Sequence, residues 1–352
     1  MFRDFPDVLA ICRVGMAWGA AVWCGLSAVL PAWAAEASSG MPASSASAPT
    51  VRAWVKPPRV FGRLKAQDLG IVINSDDPYS VQVGEYYAKA RGIPAERVLK
   101  VSLPLKAALT PEEFAVFQSQ VNQAFGSKVQ ALALAWRMPY GVSCNSITGA
   151  LAMGYDGQLC AQSCGRSRTS SYFSSVSTRP YTDHGMRLSM LLAAKSVEAA
   201  KALIDRGVQS DGSLGLRGAP PVHAHFVTTS DSVRSVRQVL FPPAGHNPAV
   251  GLDVHLDQTD ALRQAQRVVI YQTGRAQVDD LDSNAYVPGA LGDNLTSFGG
   301  VIDKPHGQTT VLSWIDAGLT ATYGTTSEPC SHLQKFPHPQ AGSKNFSDAI
   351  LS

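Results

Sequence analysis

An α/β protein built on a mostly parallel, doubly wound sheet is what this sequence predicts, on three observations. Short apolar runs alternate with amphipathic stretches along most of the chain. Residues that start and stop helices stand between them. One run, Val129 to Trp136, is apolar but for Gln130, as a strand buried on both faces of a parallel sheet has to be.

The elements follow in order. Leu69 to Ile73 is a short apolar strand that ends in Asn74, Ser75, Asp76, Asp77 and Pro78. Asp77 caps the next helix, Pro78 suits its first position, Gly92 its left-handed exit, and Pro94 stops continuation. Arg97 to Leu103 reads as a second strand. Thr110 and Glu113 form a capping box around Pro111, and Phe114, Phe117, Val121 and Phe125 recur at helical spacing. After Val129 to Trp136 the periodicity disappears from Arg137 to Thr182, an insertion of a length that inside a compact domain is functional or a lid. Alternation then resumes. Leu188 to Leu192 reads as extended, and Ser196 caps a helix to Arg206. His223 to Thr228 is a strand, and a helix with Val233, Val236 and Leu240 starts at Ser230 or Asp231. Val254 to Leu256 is a short strand, Thr259 to Ala265 a helix, Val268 to Thr273 a strand, Thr310 to Ala317 a helix and Leu319 to Tyr323 the last strand. The stretch VPGALGDNLTSFGG between the last two reads as a polar, glycine-bounded loop.

The amino terminus carries the marks of a secretory leader. Arg3 and Arg13 precede an apolar run from Val14 to Leu30, and Ala32, Trp33 and Ala34 supply a small-residue cleavage site before Ala35. Residues 1–34 are therefore expected to be a signal peptide and 35–50 a Ser/Ala/Pro linker. Residues 51–340 are expected to form one α/β domain with the 137–182 insertion, and 341–352 an atypical tail. The expected location is periplasmic or secreted, with no membrane span in the mature chain. The formal charge of +3 over 352 residues, with no Lys/Arg run interleaved with aromatics, excludes a nucleic-acid binder. Cys12 and Cys24 leave with the leader. Cys144, Cys160, Cys164 and Cys330 remain in an oxidising compartment, where disulfides are the default and three pairings are open.

In a parallel sheet the carboxyl ends of the strands share one edge, and ligands bind there. The predicted ends supply Asp76, Asp77, Arg137, Thr228, Thr229, Asp231, Gln272, Thr273, Arg275, Thr325, Thr326, Ser327 and Glu328. The loop with Asp293, Asn294, Thr296 and Ser297 is expected to fold onto the same edge. Taken singly, such residues are caps and turns, Asp77 and Asp231 above all. Taken together they form a polar cleft for a ligand or substrate of unknown identity, with Asp76, Asp77, Arg137 and Arg275 as binding residues.

Three chemistries compete for the cleft. Cys330, beside His332, is the cysteine placed to act as a nucleophile, against a disulfide at the same position. Thr296 or Ser297 assisted by Asp293 would make a hydroxyl nucleophile, although the strand-turn-helix of a nucleophile elbow is missing. Asp76, Asp77, Asp293 and Glu328 are hard oxygen donors suited to calcium or magnesium, while no cofactor is required. His223 and His225 share one face of a strand, but no closely spaced zinc-binding pair such as HExxH is present.

In NSDDPYS, MPYGVSCNSIT, MLLAAKSVEAAKALIDRGV, PGALGDNLTSFGG, ATYGTTSEPC and KFPHP the chain resembles a family of exported bacterial proteins that has no settled activity. More distantly, the order of elements is similar to gingipain-type caspase-like cysteine peptidases. That likeness implies a caspase-like three-layer α/β/α domain and a hydrolase-related protein. The catalytic His and Cys of those peptidases would fall near Thr273-Gly274 and in the GDNLTSFGG segment, which contain neither residue. Relatives resembling this chain have His where Asn294 stands and continue past KFPHP into a further helix. The resemblance thus implies hydrolase ancestry, or a disulfide-braced envelope binding protein or inactive pseudoenzyme.

Overall fold

The computed structural model describes residues 64–173, 175–213, 218–304 and 306–340. The signal peptide, the linker and the 341–352 tail lie outside them. Ten strands carry the architecture: β1 (Leu69–Asn74), β2 (Val98–Val101), β3 (Ala131–Leu134), β4 (Leu188–Leu191), β5 (Val222–Thr228), β6 (Gly245–Asn247), β7 (Leu252–Gln258), β8 (Val268–Thr273), β9 (Tyr286–Asn294) and β10 (Ala321–Thr322). They are mostly parallel, with helices on both faces, as the sequence pattern predicts. They hydrogen-bond as two principal sheets rather than one: β2-β1-β3-β4, all parallel, and β10-β9-β8-β5-β7-β6, antiparallel only at β6. The described residues group as a single compact unit.

Strand alternation builds the first half. Ile71, Ile73, Ala133 and Ala135 face α1 (Pro78–Arg91) and α4 (Val197–Gln209). Val72, Leu132, Leu134 and Trp136 face α2 (Pro111–Phe125) and α3 (Ile147–Met153). Period-2 side chains from one sheet thus feed two cores. The caps sit where the sequence places them. Asp77 accepts from Tyr79 N, Thr110 and Glu113 form the reciprocal box, Ser196 accepts from Ala199 N, and Gly92 is left-handed at φ 59°.

The second half departs from expectation in three places. The stretch VPGALGDNLTSFGG is not a loop: its first half is β9, a nine-residue inner strand of the six-stranded sheet. Its glycines serve packing and turning. A Cβ on Gly292 would come within 2.8 Å of Trp314, and Gly289 has a φ of 90° close to a register shift against β8. Residues 259–265 are not helical. Leu262 N donates to the Tyr271 hydroxyl at 3.3 Å and Leu262 O accepts from Asn284 Nδ2 at 3.0 Å, so tertiary partners take the backbone groups a helix would use. The expected helix after Asp231 is a short 3₁₀ segment, Ser235–Leu240, and Val233 is exposed.

The insertion is ordered by short pieces. Strands Ala108–Leu109, Gly141–Val142 and Asn145–Ser146 form a three-stranded sheet, and α3 follows. Between edge strands β4 and β10 lies a mainly apolar cavity of about 430 Å³ lined by Leu191, Leu192, Ile302, Val311, Ile315 and Tyr323, among others. Arg206 of α4 ties the two halves, donating to Ile315 O and Leu319 O at 3.0 Å. Among the described residues no helix is long and apolar enough to cross a membrane.

Candidate functional site

The sequence-predicted residues separate into three groups. The first ends in structural roles. Asp77 is the α1 cap, and Asp76 accepts from Ser102 Oγ. Arg137 donates to Lys195 O at 3.3 Å with its guanidinium 4.9 Å from the Tyr79 ring centre. Arg275 pairs with Asp260 at 2.8 Å, and Asp231 with Arg234 at 2.8 Å.

Asp260 is held by Ser230 N and Ser230 Oγ, both at 2.8 Å, and by Arg275. The Ser230 amide, then its hydroxyl, then the guanidinium lower the Asp260 carboxyl to about 2. A carboxyl depressed in the folded state stabilises above its unfolded value near 3.9 and loses that contribution as pH falls towards 2. Asp260→Asn is therefore expected to flatten the acid limb of stability against pH, read by unfolding between pH 5 and pH 2. An unchanged limb would show the Ser230 and Arg275 bonds to be absent in solution.

The second group is buried beneath the carboxyl edge of the six-stranded sheet. Asp293, next to last in β9, receives Arg237 Nη1 at 2.9 and 2.8 Å, with side-chain exposures of 3% and 2%. Burial pushes the Asp293 carboxyl up and the guanidinium pulls it back. Arg237 Nη2 also donates to Thr273 O at 3.0 Å, which binds β8, β9 and the 235–240 segment together. Asn294 accepts from Trp314 Nε1 at 2.9 Å and donates to Arg275 O, and Thr296 donates to Gln308 Oε1 at 2.6 Å. With its hydroxyl committed to an amide oxygen and Asp293 to a guanidinium, the Thr296–Asp293 nucleophile pair does not form. Ser297 is half-buried, and its carbonyl oxygen accepts from Thr325 Oγ1 at 2.7 Å. A cavity of about 350 Å³ lies beside this group, lined by Gln272, Asp293, Thr322, Tyr323 and Pro337.

The third group forms the cleft. The segment after β10, Tyr323 to Pro329, faces the insertion across a cavity of about 280 Å³ lined by Asn145, Asp156, Arg168, Thr326, Glu328 and Lys335, among others. Two disulfides frame it: Cys144–Cys160 and Cys164–Cys330, each with Cα atoms 5.3 Å apart. Thr326 Oγ1 donates to Cys144 O at 3.3 Å and Lys335 Nζ to Ser163 O at 2.7 Å, stitching the 323–335 segment to the insertion. Burial lowers the Lys335 ammonium, and Glu328 opposes the shift. Glu328 Oε1 accepts from Cys330 N at 2.8 Å.

Cys330 is corrected by this geometry. Its sulfur is bonded to Cys164, so it offers no thiolate, and His332 Nε2 lies 2.8 Å from Cys164 O. Among the described residues Asp76, Asp77, Asp293 and Glu328 build no convergent donor set of three. Donor atoms do converge on the adjacent strands β5 and β7 of the six-stranded sheet, at His223, Asp253 and His255. Arg237 is unmarked in the sequence, its only local signal being a cation inside an amphipathic stretch. Comparison with family models, with curated proteins and with solved structures finds no match to this chain.

Proposed function

We propose that this protein is a non-catalytic, exported binding protein whose disulfide-framed cleft takes a small zwitterion such as an amino acid or short peptide. The observation that carries the reading is the cleft's composition. Within one cavity of about 280 Å³ stand two cationic side chains, Arg168 and Lys335, and two carboxylates, Asp156 and Glu328. Both signs line each wall, Arg168 standing 3.9 Å from Asp156 on the insertion and Glu328 acting on Lys335 in the 323–335 segment, which suits a ligand carrying both charges, and the volume sits at the small end of ligand pockets. The disulfides preorganise the walls, which lowers the ordering cost of binding. A caspase-like ancestry remains part of this proposal: the mostly parallel α/β layers are compatible with it, and the missing dyad accords with binding rather than turnover.

A thermal-shift screen of amino acids and dipeptides on the full exported chain tests the reading. At least one is expected to raise the midpoint of the wild type, with the shift lost in Glu328→Gln. Turnover of a peptide or ester substrate that vanishes in Glu328→Gln would overturn it in favour of a hydrolase.

A hydrolase reading keeps one specific observation. In the insertion, Ser175 Oγ lies 2.8 Å from His184 Nε2, the contact a general base makes with a hydroxyl nucleophile. That pair sits where the chain enters β4, at the amino end of the sheet, and His184 lines a cavity of about 390 Å³ that shares Met153, Gly154 and Arg168 with the cleft. Labelling of Ser175 by a fluorophosphonate would support this second reading, and absence of label would remove it.

A further inference from the structure

One face of the adjacent inner strands β5 and β7 carries a convergent set of donors that the cleft does not use. β5 and β7 pair in parallel with His223 opposite Asp253 and His225 opposite His255. Side chains alternate along a strand, so all four, with Asp257, project from one face, while Val222, Ala224, Phe226 and Leu252 fill the core on the other. Every outward position of these strands from 223 to 225 and from 253 to 257 is His or Asp.

A strand face that is merely wet spreads such residues through solvent. Here they close on one point. His223 Nδ1 lies 3.0 Å from His255 Nε2 and 3.6 Å from Asp253 Oδ2, and a donor atom from each of the three lies within 4.8 Å of the others. Zinc–ligand bonds of about 2.0–2.1 Å in tetrahedral array put neighbouring donors roughly 3.3 Å apart, close to these separations.

The surroundings hold the donors in place. The second oxygen of Asp253 accepts from His246 Nδ1 at 2.5 Å, from β6. His225 is bonded through Nδ1 to Asp257 at 2.8 Å, and its ring stacks on that of His255 with centres 4.6 Å apart and planes at 12°. Carboxylate and histidine partners of this kind orient ligands around bound metals. The nearby cation Arg267 is engaged by Pro220 O at 2.9 Å and Pro221 O at 3.0 Å. The side chains of His223 and Asp253 keep exposures of 26% and 23%, so the point is reachable from solvent.

We propose that His223, Asp253 and His255 form a three-ligand zinc site with a fourth position open to water or a small ligand. Two imidazoles and one carboxylate suit zinc and its transition-metal neighbours, whereas calcium and magnesium take oxygen ligands. The site is independent of the cleft and of the function proposed for it.

The test uses the full exported chain without an oligohistidine tag, stripped by chelator and titrated with zinc chloride against a chromophoric competitor. The wild type is expected to bind about one zinc per chain, as a three-ligand open site does. His223→Ala and His255→Ala should weaken binding by about 100-fold or more, and His246→Ala by about 10-fold, the scale typical of orienting partners. His306→Ala should leave binding unchanged, and excess calcium or magnesium should not compete. Circular dichroism confirms that each variant is folded. Should an alanine variant unfold, Asp253→Asn decides in its place, because it keeps the side chain's size. A wild type that takes no zinc at micromolar free metal, or folded His223→Ala and His255→Ala proteins that bind as tightly as the wild type, would overturn the proposal.

Discussion

Replacing Arg237 with methionine is expected to cost about 3–5 kcal/mol of stability, the penalty for leaving a buried charge without its partner. Asp293 would lose both Nη1 contacts, at 2.9 and 2.8 Å, in a place where it is 3% exposed. The variant also strips Thr273 O of its Nη2 donor, leaving it only the Leu295 N–H at 3.0 Å. The sign of the pH dependence follows from the carboxyl. Without the guanidinium, burial is opposed only by the Gln272 hydrogen bond and holds the folded-state pKa of Asp293 above the unfolded value. Stability in the variant is then greatest in acid and falls as pH rises through that pKa. The loss measured in urea should be smaller at pH 5 than at pH 8. The double variant Arg237→Met with Asp293→Leu should recover much of the single-variant loss, since apolar replacement of a buried pair is often near neutral. Equal stability of Arg237→Met and wild type across that range would show that the pair is not buried in solution.

Loss of the Cys164–Cys330 bond is the second large effect. It closes a loop of 166 residues, and removing a native disulfide typically costs about 2–5 kcal/mol. Cys330→Ser should fall in that range in equilibrium unfolding. Cys144→Ser should cost about 1–2 kcal/mol less in the loop-entropy account, because its loop spans only 16 residues. The functional consequence differs from the energetic one. Cys330 anchors the segment that presents Thr326 and Glu328 to the insertion, so its serine variant should lose the zwitterion-induced thermal shift even at temperatures where it stays folded. A Cys330→Ser protein as stable as the wild type, with ligand binding intact, would show that the bridge is dispensable to the cleft.

What could be read from the sequence was whatever is decided locally. Asp77, Thr110 and Ser196 cap their helices because a cap is a contact between residues two or three apart. The Val129 to Trp136 run declared a strand because both of its faces are buried. β9 was hidden for the opposite reason. Pro288, Gly289 and Gly292 are turn residues on any local reading, and only the close approach of Leu319 and Trp314 explains Gly292 inside a strand. The 259–265 segment failed as a helix because Tyr271 and Asn284, distant in sequence, claim its backbone. The site was harder still. Arg237 lies 56 residues from Asp293, and nothing in either neighbourhood marks the partnership. Which cysteine pairs with which is set by contacts up to 166 residues apart. The histidine face is an intermediate case: the alternation in His223 and His225 was legible, but the partners Asp253 and His255 become neighbours only when β7 pairs beside β5 in register.

The central claim is that the Cys144–Cys160 and Cys164–Cys330 bridges frame the cleft and leave it no free thiol. Peptide mapping of the unreduced, exported protein after alkylation of free thiols tests it most directly. The account predicts two cross-linked species, one joining the peptides of Cys144 and Cys160 and one joining those of Cys164 and Cys330, with no label on any of the four. Cys330 recovered as a labelled free thiol, reacting readily below the pH of an ordinary thiol, would contradict it and return a cysteine nucleophile to the site.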